Sequence, residues 1–190
     1  FLGLNLKKYL SKNLQLDNFS FEEIVKKKNS HFVDYSFIIN TSIHPNYIKN
    51  KYNQKFDLDK RFINKFKKIG FKYIFLNSRK IYFQKENITE RSLISPIDNY
   101  GKNKFITEKF LKKKLKNKLI SLRISNIIGK RIFKNNRNNH KLFLDNFLIY
   151  KKKSKNIYIN NDFKDFITIE HFCKIIMKII ENNINGIYNV

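Results

Sequence analysis

Three short apolar runs punctuate the chain, at residues 35–39, 73–76 and 119–124. None alternates strictly between apolar and polar positions, and their lengths suit strands buried on both faces. Elsewhere the apolar residues recur at helical spacing. Phe56, Leu58, Phe62, Ile63, Phe66 and Ile69 make one stripe; Tyr100, Phe105, Ile106, Phe110 and Leu111 make a second; Phe172, Ile175, Ile176, Ile179 and Ile180 make a third. Strands alternating with amphipathic helices predict an α/β fold with helices on both faces of a parallel sheet. Ligands of such sheets sit outside the carboxyl ends of the strands.

The two ends read differently from the middle. Phe1-Leu2-Gly3 runs straight into a helical pattern of Leu4, Leu6, Tyr9 and Leu10, with no strand in front of it. Asn185-Gly186 reads as a turn into a strand, Ile187-Tyr188-Asn189-Val190, in which the chain stops. The expectation is a fragment cut at both ends, its sheet incomplete at the N-terminus, where the first strand is missing, and at the C-terminus.

Length and composition narrow the class. The chain has 190 residues, suited to one domain or a piece of a larger one, and its 42% hydrophobic content supports a core. No apolar run approaches the ~18 residues of a membrane span, and the start lacks the pattern of a signal peptide. A soluble, cytoplasmic protein is the expectation. Cys173 stands alone, which fits a reducing compartment. The formal charge of +25 raises nucleic acid as a partner. Yet only six of the 40 basic residues are Arg, at 61, 79, 91, 123, 131 and 137, whereas base-edge and bidentate phosphate recognition leans on Arg. Ala and Trp are absent while Lys, Asn, Ile, Phe and Tyr abound, the signature of A- and T-rich codons. The charge therefore does not point to nucleic acid, although it can steer an anionic ligand. The runs Lys26-Lys27-Lys28, Lys112-Lys113-Lys114 and Lys151-Lys152-Lys153 read as solvated helix ends. His31, His44, His140 and His171 show no ligand spacing with each other or with Cys173, so no metal site is expected. Cys173 and Met177 read as core, and Arg137 and His140 as part of a surface loop.

The segment with most chemistry in it is Tyr100-Gly101-Lys102-Asn103-Lys104, preceded by a strand that ends at Asn77-Ser78. Residues four apart share one helix face, so Tyr100 and Lys104 can act on one ligand. A phenol is a poor base at its free pKa of ~10, and an adjacent ammonium favours the phenolate. The Ser78 hydroxyl, at a neighbouring strand end, can hold a substrate oxygen. Such a trio suits proton transfer to or from a carbinol while a nicotinamide moves the hydride.

The order of features along nearly the whole chain resembles the extended short-chain dehydrogenase/reductases, a family of NAD-dependent nucleotide-sugar epimerases, dehydratases and reductases. Phe1-Leu2-Gly3 resembles the tail of that family's glycine-rich turn. Residues 37–42 resemble its fourth strand, and residues 73–82 its fifth, with Ser78 four before Tyr82. Thr89-Glu90, Pro96, the Tyr100 to Lys104 segment and Glu108 follow in order. Residues 122–129 resemble the sixth strand and the loop after it, while 165–169 and 186–190 resemble two later landmarks.

The resemblance implies a Rossmann-like, doubly wound parallel sheet binding NAD or NADP. Residues 1–130 would be the cofactor domain, and 131–190 the start of the substrate-binding part interleaved with the last Rossmann elements. It implies Tyr100 as acid/base, Lys104 bridging Tyr100 and the cofactor ribose, and Ser78 orienting the substrate. Gly3, Asn40, Thr41, Ser42 and Ile127 would lie along the cofactor, and Asn126 and Lys164 near a nucleotide-sugar. The resemblance is compatible with a homodimer. Lys164 stands where the family commonly has Arg, keeping the charge and losing the fork. Asp17 is either the acid that binds the adenosine ribose or part of a later turn seen in dehydrorhamnose-reductase-like members, which leaves NAD against NADP open. Ser78 is followed by Arg79 and Lys80 rather than by the acid a dehydratase needs, which disfavours dehydration. Epimerisation and reduction of a 4-keto sugar remain, with a slight lean to the reductase-like branch. A non-catalytic dinucleotide-binding regulator and a basic nucleic-acid-binding module are the rival readings.

Overall fold

The computed structural model describes residues 1–66, 68–83, 86–129, 149 and 164–190. Its centre is a four-stranded parallel sheet of β1 (Phe37–Asn40), β2 (Lys72–Ser78), β3 (Leu119–Ile124) and β6 (Gly186–Asn189), in the order β1-β2-β3-β6. Beyond its carboxyl end, β4 (Asn126–Ile128) and β5 (Phe166–Thr168) form a separate parallel pair. The helices are α1 (Leu2–Leu10), α2 (Phe21–Lys26), α3 (Pro45–Lys49), α4 (Leu58–Asn64), α5 (Asn99–Leu115) and α6 (Ile169–Glu181).

The near-continuous apolar runs now have their reason. Along β2 and β3, Ile74, Leu76, Ile120, Leu122 and Ile124 face Leu6 and Leu10 of α1 and Phe172, Cys173, Ile176, Met177 and Ile179 of α6. The alternate residues Tyr73, Phe75 and Leu119 face the other way, onto Phe62 and Ile63 of α4, Phe66, and Leu111 and Leu115 of α5. Both faces are covered, so both parities of each strand are apolar where they meet a helix. Cys173 and Met177 lie in this core, as expected.

Polar residues set the helix boundaries. Ser20 and Glu23 close a reciprocal capping box on α2, while Asp57, Asp98 and Thr168 cap α4, α5 and α6. The apolar stripe of 56–69 is consequently split, because the Asp57 carboxylate accepts from the Lys60 N–H and starts α4 afresh after a 3-10 turn at Gln54–Phe56.

Several lysines are used inside the fold. Lys65 Nζ donates to the carbonyls of Ile24 at 3.2 Å, Val25 at 2.9 Å and also Lys27, while Lys72 and Lys118 reach the carbonyls of Asn183 and Ile69. Lys26 and Lys112 to Lys114 occupy the last turns of α2 and α5, where a cation suits the helix dipole. The run at 151–153, and the loop holding Arg137 and His140, lie outside the described residues.

Between Phe1 and Ser36 the described residues include no strand: α1 leads through a turn to α2 and a 3-10 turn at Asn29–Phe32. Among the described residues β1 therefore has a partner on one side only, β2. Along its other edge runs a cleft of about 920 Å³, walled by Leu6, Leu10 and Leu14 on one side and by Phe21, Ile24 and Phe32 on the other. No helix among the described residues is long and apolar enough to cross a membrane.

Leu122 lies at the centre of this packing with no exposed surface. Leu122→Ala is expected to lower the unfolding free energy by about 2 to 5 kcal/mol, read by urea denaturation. A loss below about 0.5 kcal/mol, the range of surface substitutions, would contradict the two-faced core.

Candidate active site

The apolar run of β2 ends in Asn77 and Ser78. Asn77 is buried because its side chain is satisfied twice: Nδ2 donates to Glu108 Oε2 at 2.6 Å, and Oδ1 accepts the Ser78 N–H at 2.8 Å. Ser78 Oγ then accepts from the Lys80 N–H at 3.3 Å and caps the 3-10 turn Arg79–Ile81. The chain returns through an antiparallel bridge between Tyr82 and Ile94 to Asp98, the cap of α5.

Tyr100 and Lys104 stand one turn apart on α5. Lys104 is buried, with Nζ 2.7 Å from the Leu76 carbonyl oxygen, 4.6 Å from the Phe75 ring centroid and 5.9 Å from that of Tyr100. The structure thus brings Tyr100 and Lys104 to the carboxyl end of β2, where Ser78 sits. The Lys104 ammonium spends one of its three hydrogens on the β2 backbone.

A buried ion pair lies below them. Arg123 of β3 meets Glu108 of α5 with Nη2 at 2.7 Å from Oε1 and Nε at 3.1 Å from Oε2, a bidentate arrangement. Glu108 Oε2 also accepts from Ser121 Oγ at 2.7 Å, and Arg123 Nη1 reaches Tyr82 Oη and the Glu90 carbonyl. Burial pushes the Glu108 carboxyl up, but the hydrogen bonds from Arg123 and Ser121 and the Arg123 charge outweigh it and hold it below its ordinary value. Tyr82 Oη and the Glu90 carboxylate in turn hold Asn189 of β6, at 3.0 and 2.7 Å. Sequence reasoning placed Glu108 and Arg123 only by motif order. The available signal was an Arg and a Ser two apart inside an otherwise apolar strand, a pattern that requires a buried partner.

A second polar cluster was not anticipated. Asp59 of α4 accepts from Tyr73 Oη at 2.7 Å and Asn40 Nδ2 at 3.0 Å, and Asn40 Oδ1 accepts the Ser42 N–H at 2.9 Å. Burial pushes the Asp59 carboxyl up, against the pull of the Lys104 charge. The Asn40 side chain is therefore engaged within the protein, shaping the turn at Thr41 and Ser42. Gly3 meets that turn: a Cβ on it would lie 2.6 Å from Thr41 Oγ1, so a larger residue there would require the Thr41 side chain to move. Gly3, Asn40, Thr41 and Ser42 line one end of the cleft beside β1. Asp17 lines the same cleft, its carboxylate accepting from Tyr35 Oη; burial and this partner push the Tyr35 phenol up to about 12. Ser78, Tyr100 and Lys104 do not line it.

Asn126 is the first residue of β4, and Lys164 lies two residues before β5. Asn126 donates from its N–H and from Nδ2 to the Asp165 carbonyl, at 3.3 and 3.1 Å. Arg79 Nη1 lies 3.6 Å from Asp165 Oδ2, linking the serine turn to this pair. Ile127 packs against the core shared by α1 and α6.

No family model and no curated protein matches the sequence. The fold has many solved counterparts. Over 100% of this chain and 69% of the other, it is similar to the Bordetella bronchiseptica enzyme WbmG in complex with NAD, with a TM-score of 0.73 at 16% identity. A dTDP-4-dehydrorhamnose reductase from Clostridium acetobutylicum gives a TM-score of 0.72 at 18% identity, over 100% of this chain and 70% of that one. A UDP-glucuronic acid 4-epimerase from Bacillus cereus, in complex with NAD and a fluorinated UDP-sugar, gives 0.67 at 18% identity, over 88% of this chain. The chain spans 57% of that epimerase and 58% of a UDP-N-acetylglucosamine 4-epimerase from Methanobrevibacter ruminantium. The fold is the Rossmann-like sheet of nucleotide-sugar epimerases and 4-keto-sugar reductases, in agreement with the motif resemblance; at these identities it is the fold that the likeness establishes.

Glu108→Gln removes the partner of a buried guanidinium and is expected to cost about 3 to 5 kcal/mol at neutral pH. Because the native carboxyl is held below the ordinary value of 4.5, its contribution is present above that pH and is lost as the pH falls through the lower, folded value. Urea denaturation of both forms should therefore show their difference narrowing in acid. A constant difference down to the acid transition would contradict a charged Glu108.

Proposed function

We propose that the chain is part of an NAD(P)-dependent enzyme that transfers hydride at a sugar carbinol or ketone of a nucleotide-sugar, as an epimerase or a 4-keto reductase. The observation that supports this reading is a buried ammonium, Lys104, held by the Leu76 carbonyl 5.9 Å from the Tyr100 ring centroid, on a helix packed against the parallel strand that ends at Ser78, in the fold of proteins solved with NAD and UDP-sugars. On this reading residues 1–130 serve the cofactor, and 131–190 begin the substrate side while returning α6 and β6 to the sheet.

The residues present suit a dinucleotide. Gly3 lies in the first turn of α1, which has no side-chain cap, against Thr41 and on the same cleft as Ser42. Lys104 carries the only buried ammonium among the described residues. NAD(P), when bound, supplies the hydride acceptor or donor. The chain's part is proton work and positioning. Ser78 Oγ hydrogen-bonds the reacting sugar oxygen. As the phenolate, Tyr100 takes the proton of that hydroxyl on oxidation and becomes the phenol, which returns the proton on reduction. The Lys104 ammonium, near the ring and fixed by the Leu76 carbonyl, holds the cofactor ribose beside Tyr100. Asn126 and Lys164 approach the nucleotide-sugar beyond Arg79.

Tyr100→Phe keeps the ring and deletes the proton carrier. In the full chain it should lower hydride transfer by about 10² to 10⁴-fold, followed at the nicotinamide absorbance band with UDP-glucose and dTDP-glucose as probes, while NADH binding persists. Unaltered turnover in the variant would overturn the assignment. NADH binding without transfer in the parent protein would favour a non-catalytic regulator, and salt-sensitive DNA retention without NADH binding a nucleic-acid module.

A further inference from the structure

The turn that carries Ser78 and the helix that carries Tyr100 come from different parts of the chain, and something must set their spacing. Gly101 lies in the first turn of α5, where alanine is the stronger helix former. A Cβ at this position would lie 2.2 Å from the Lys80 carbonyl oxygen, 2.9 Å from the Lys80 carbonyl carbon and 3.1 Å from Pro96 Cβ. The first two neighbours are main chain, which cannot swing aside as a flexible side chain does. The serine turn and the tyrosine helix therefore touch backbone to backbone.

The same residue closes the contact with its side chain. Lys80 Nζ lies 2.7 Å from Asp98 Oδ2, and Asp98 Oδ1 accepts the Gly101 N–H at 2.7 Å, so one carboxylate binds both partners. Burial pushes the Asp98 carboxyl up, yet the hydrogen bonds from Lys80 and Gly101 hold it below its ordinary value. The Lys80 N–H donates to Ser78 Oγ, and the Lys80 ammonium lies 5.9 Å from the Tyr100 ring centroid, the same separation as that of Lys104. Lys80 thus engages the serine through its backbone and faces the tyrosine with its charge.

We propose that Lys80, Asp98 and Gly101 form a latch that fixes the Tyr100 ring against the serine-bearing turn, with Lys80 as a positioning residue. The Lys80–Asp98 pair is half exposed, with side-chain exposures of 57% and 46%. Such pairs add little to global stability, so the latch acts on geometry and its loss leaves the fold standing. Its catalytic meaning rests on the function proposed above; its structural content does not.

The test uses the full chain labelled with ¹³C at its tyrosine rings, the Tyr100 resonance being assigned by its disappearance in Tyr100→Phe. Lys80→Met and Gly101→Ala should each shift or broaden that resonance, Lys80→Arg should restore it, and Lys113→Met, at the other end of α5, should leave it in place. Where the parent turns over UDP-glucose with NAD, Lys80→Met should lower kcat by up to ~10²-fold with little change in KM, the effect of a misplacement of about 1 Å. A Tyr100 resonance unmoved in Lys80→Met, or one that Lys80→Arg fails to restore, overturns the latch, and Lys80→Met decides alone should Gly101→Ala not fold. Failure of the parent to bind NADH overturns the proposed function and leaves the latch to be judged by the resonance.

Discussion

The Glu108–Arg123 pair is the interaction on which the arrangement depends. It is buried on both sides and bidentate, and every remaining polar group around it is matched: Asn77 on β2, Ser121 on β3, and Tyr82 and the Glu90 carbonyl in the returning loop. Two charges in an apolar layer are tolerated only under that degree of satisfaction. Satisfying them fixes α5 across the carboxyl halves of β2 and β3. Tyr100 and Lys104, about two turns and one turn before Glu108, are thereby delivered to the end of β2.

The same layer sets the surroundings of Lys104. Next to the ion pair on α5, the Lys104 ammonium anchors to the Leu76 carbonyl rather than to a carboxylate. Its charge is therefore not cancelled by a contacting acid. Asp59 lies within its field but is committed to Tyr73 and Asn40. The aromatic faces of Phe75, Tyr47 and Tyr100 surround it, at 4.6, 5.7 and 5.9 Å from their centroids, an environment that suits a cation without neutralising it.

Much of the frame was legible in the chain. The apolar run at 119–124 is β3 to the residue, and the stripe from Phe172 to Ile180 lies within α6, because burial on two faces and on one face leave different periodicities. The apolar run at 73–76 is the middle of β2, which starts at Lys72 and ends at Asn77-Ser78 as the sequence reading has it; what the local pattern does not show is why Asn77 can be buried, which is that it finds Glu108. That partner is 31 residues away and invisible to any local pattern. Tyr100, Lys104 and Ser78 were placed by motif order, and their convergence follows from β2 and α5 being packed together. The Asp59 cluster and the Lys80 latch escaped notice for the same reason as Asn77. Each joins residues whose types are ordinary singly and whose meaning lies in a tertiary contact.

The central claim is that the carboxyl end of β2 is a single site reached by a dinucleotide. Its most direct measurement is a titration of the ¹⁵N-labelled full chain with NADH, followed amide by amide. Shifts converging on Thr41, Ser42, Ser78, Tyr100 and Lys104 are predicted. Binding that leaves those amides unmoved, with shifts confined to lysine-rich surfaces away from the sheet's carboxyl edge, would contradict the account.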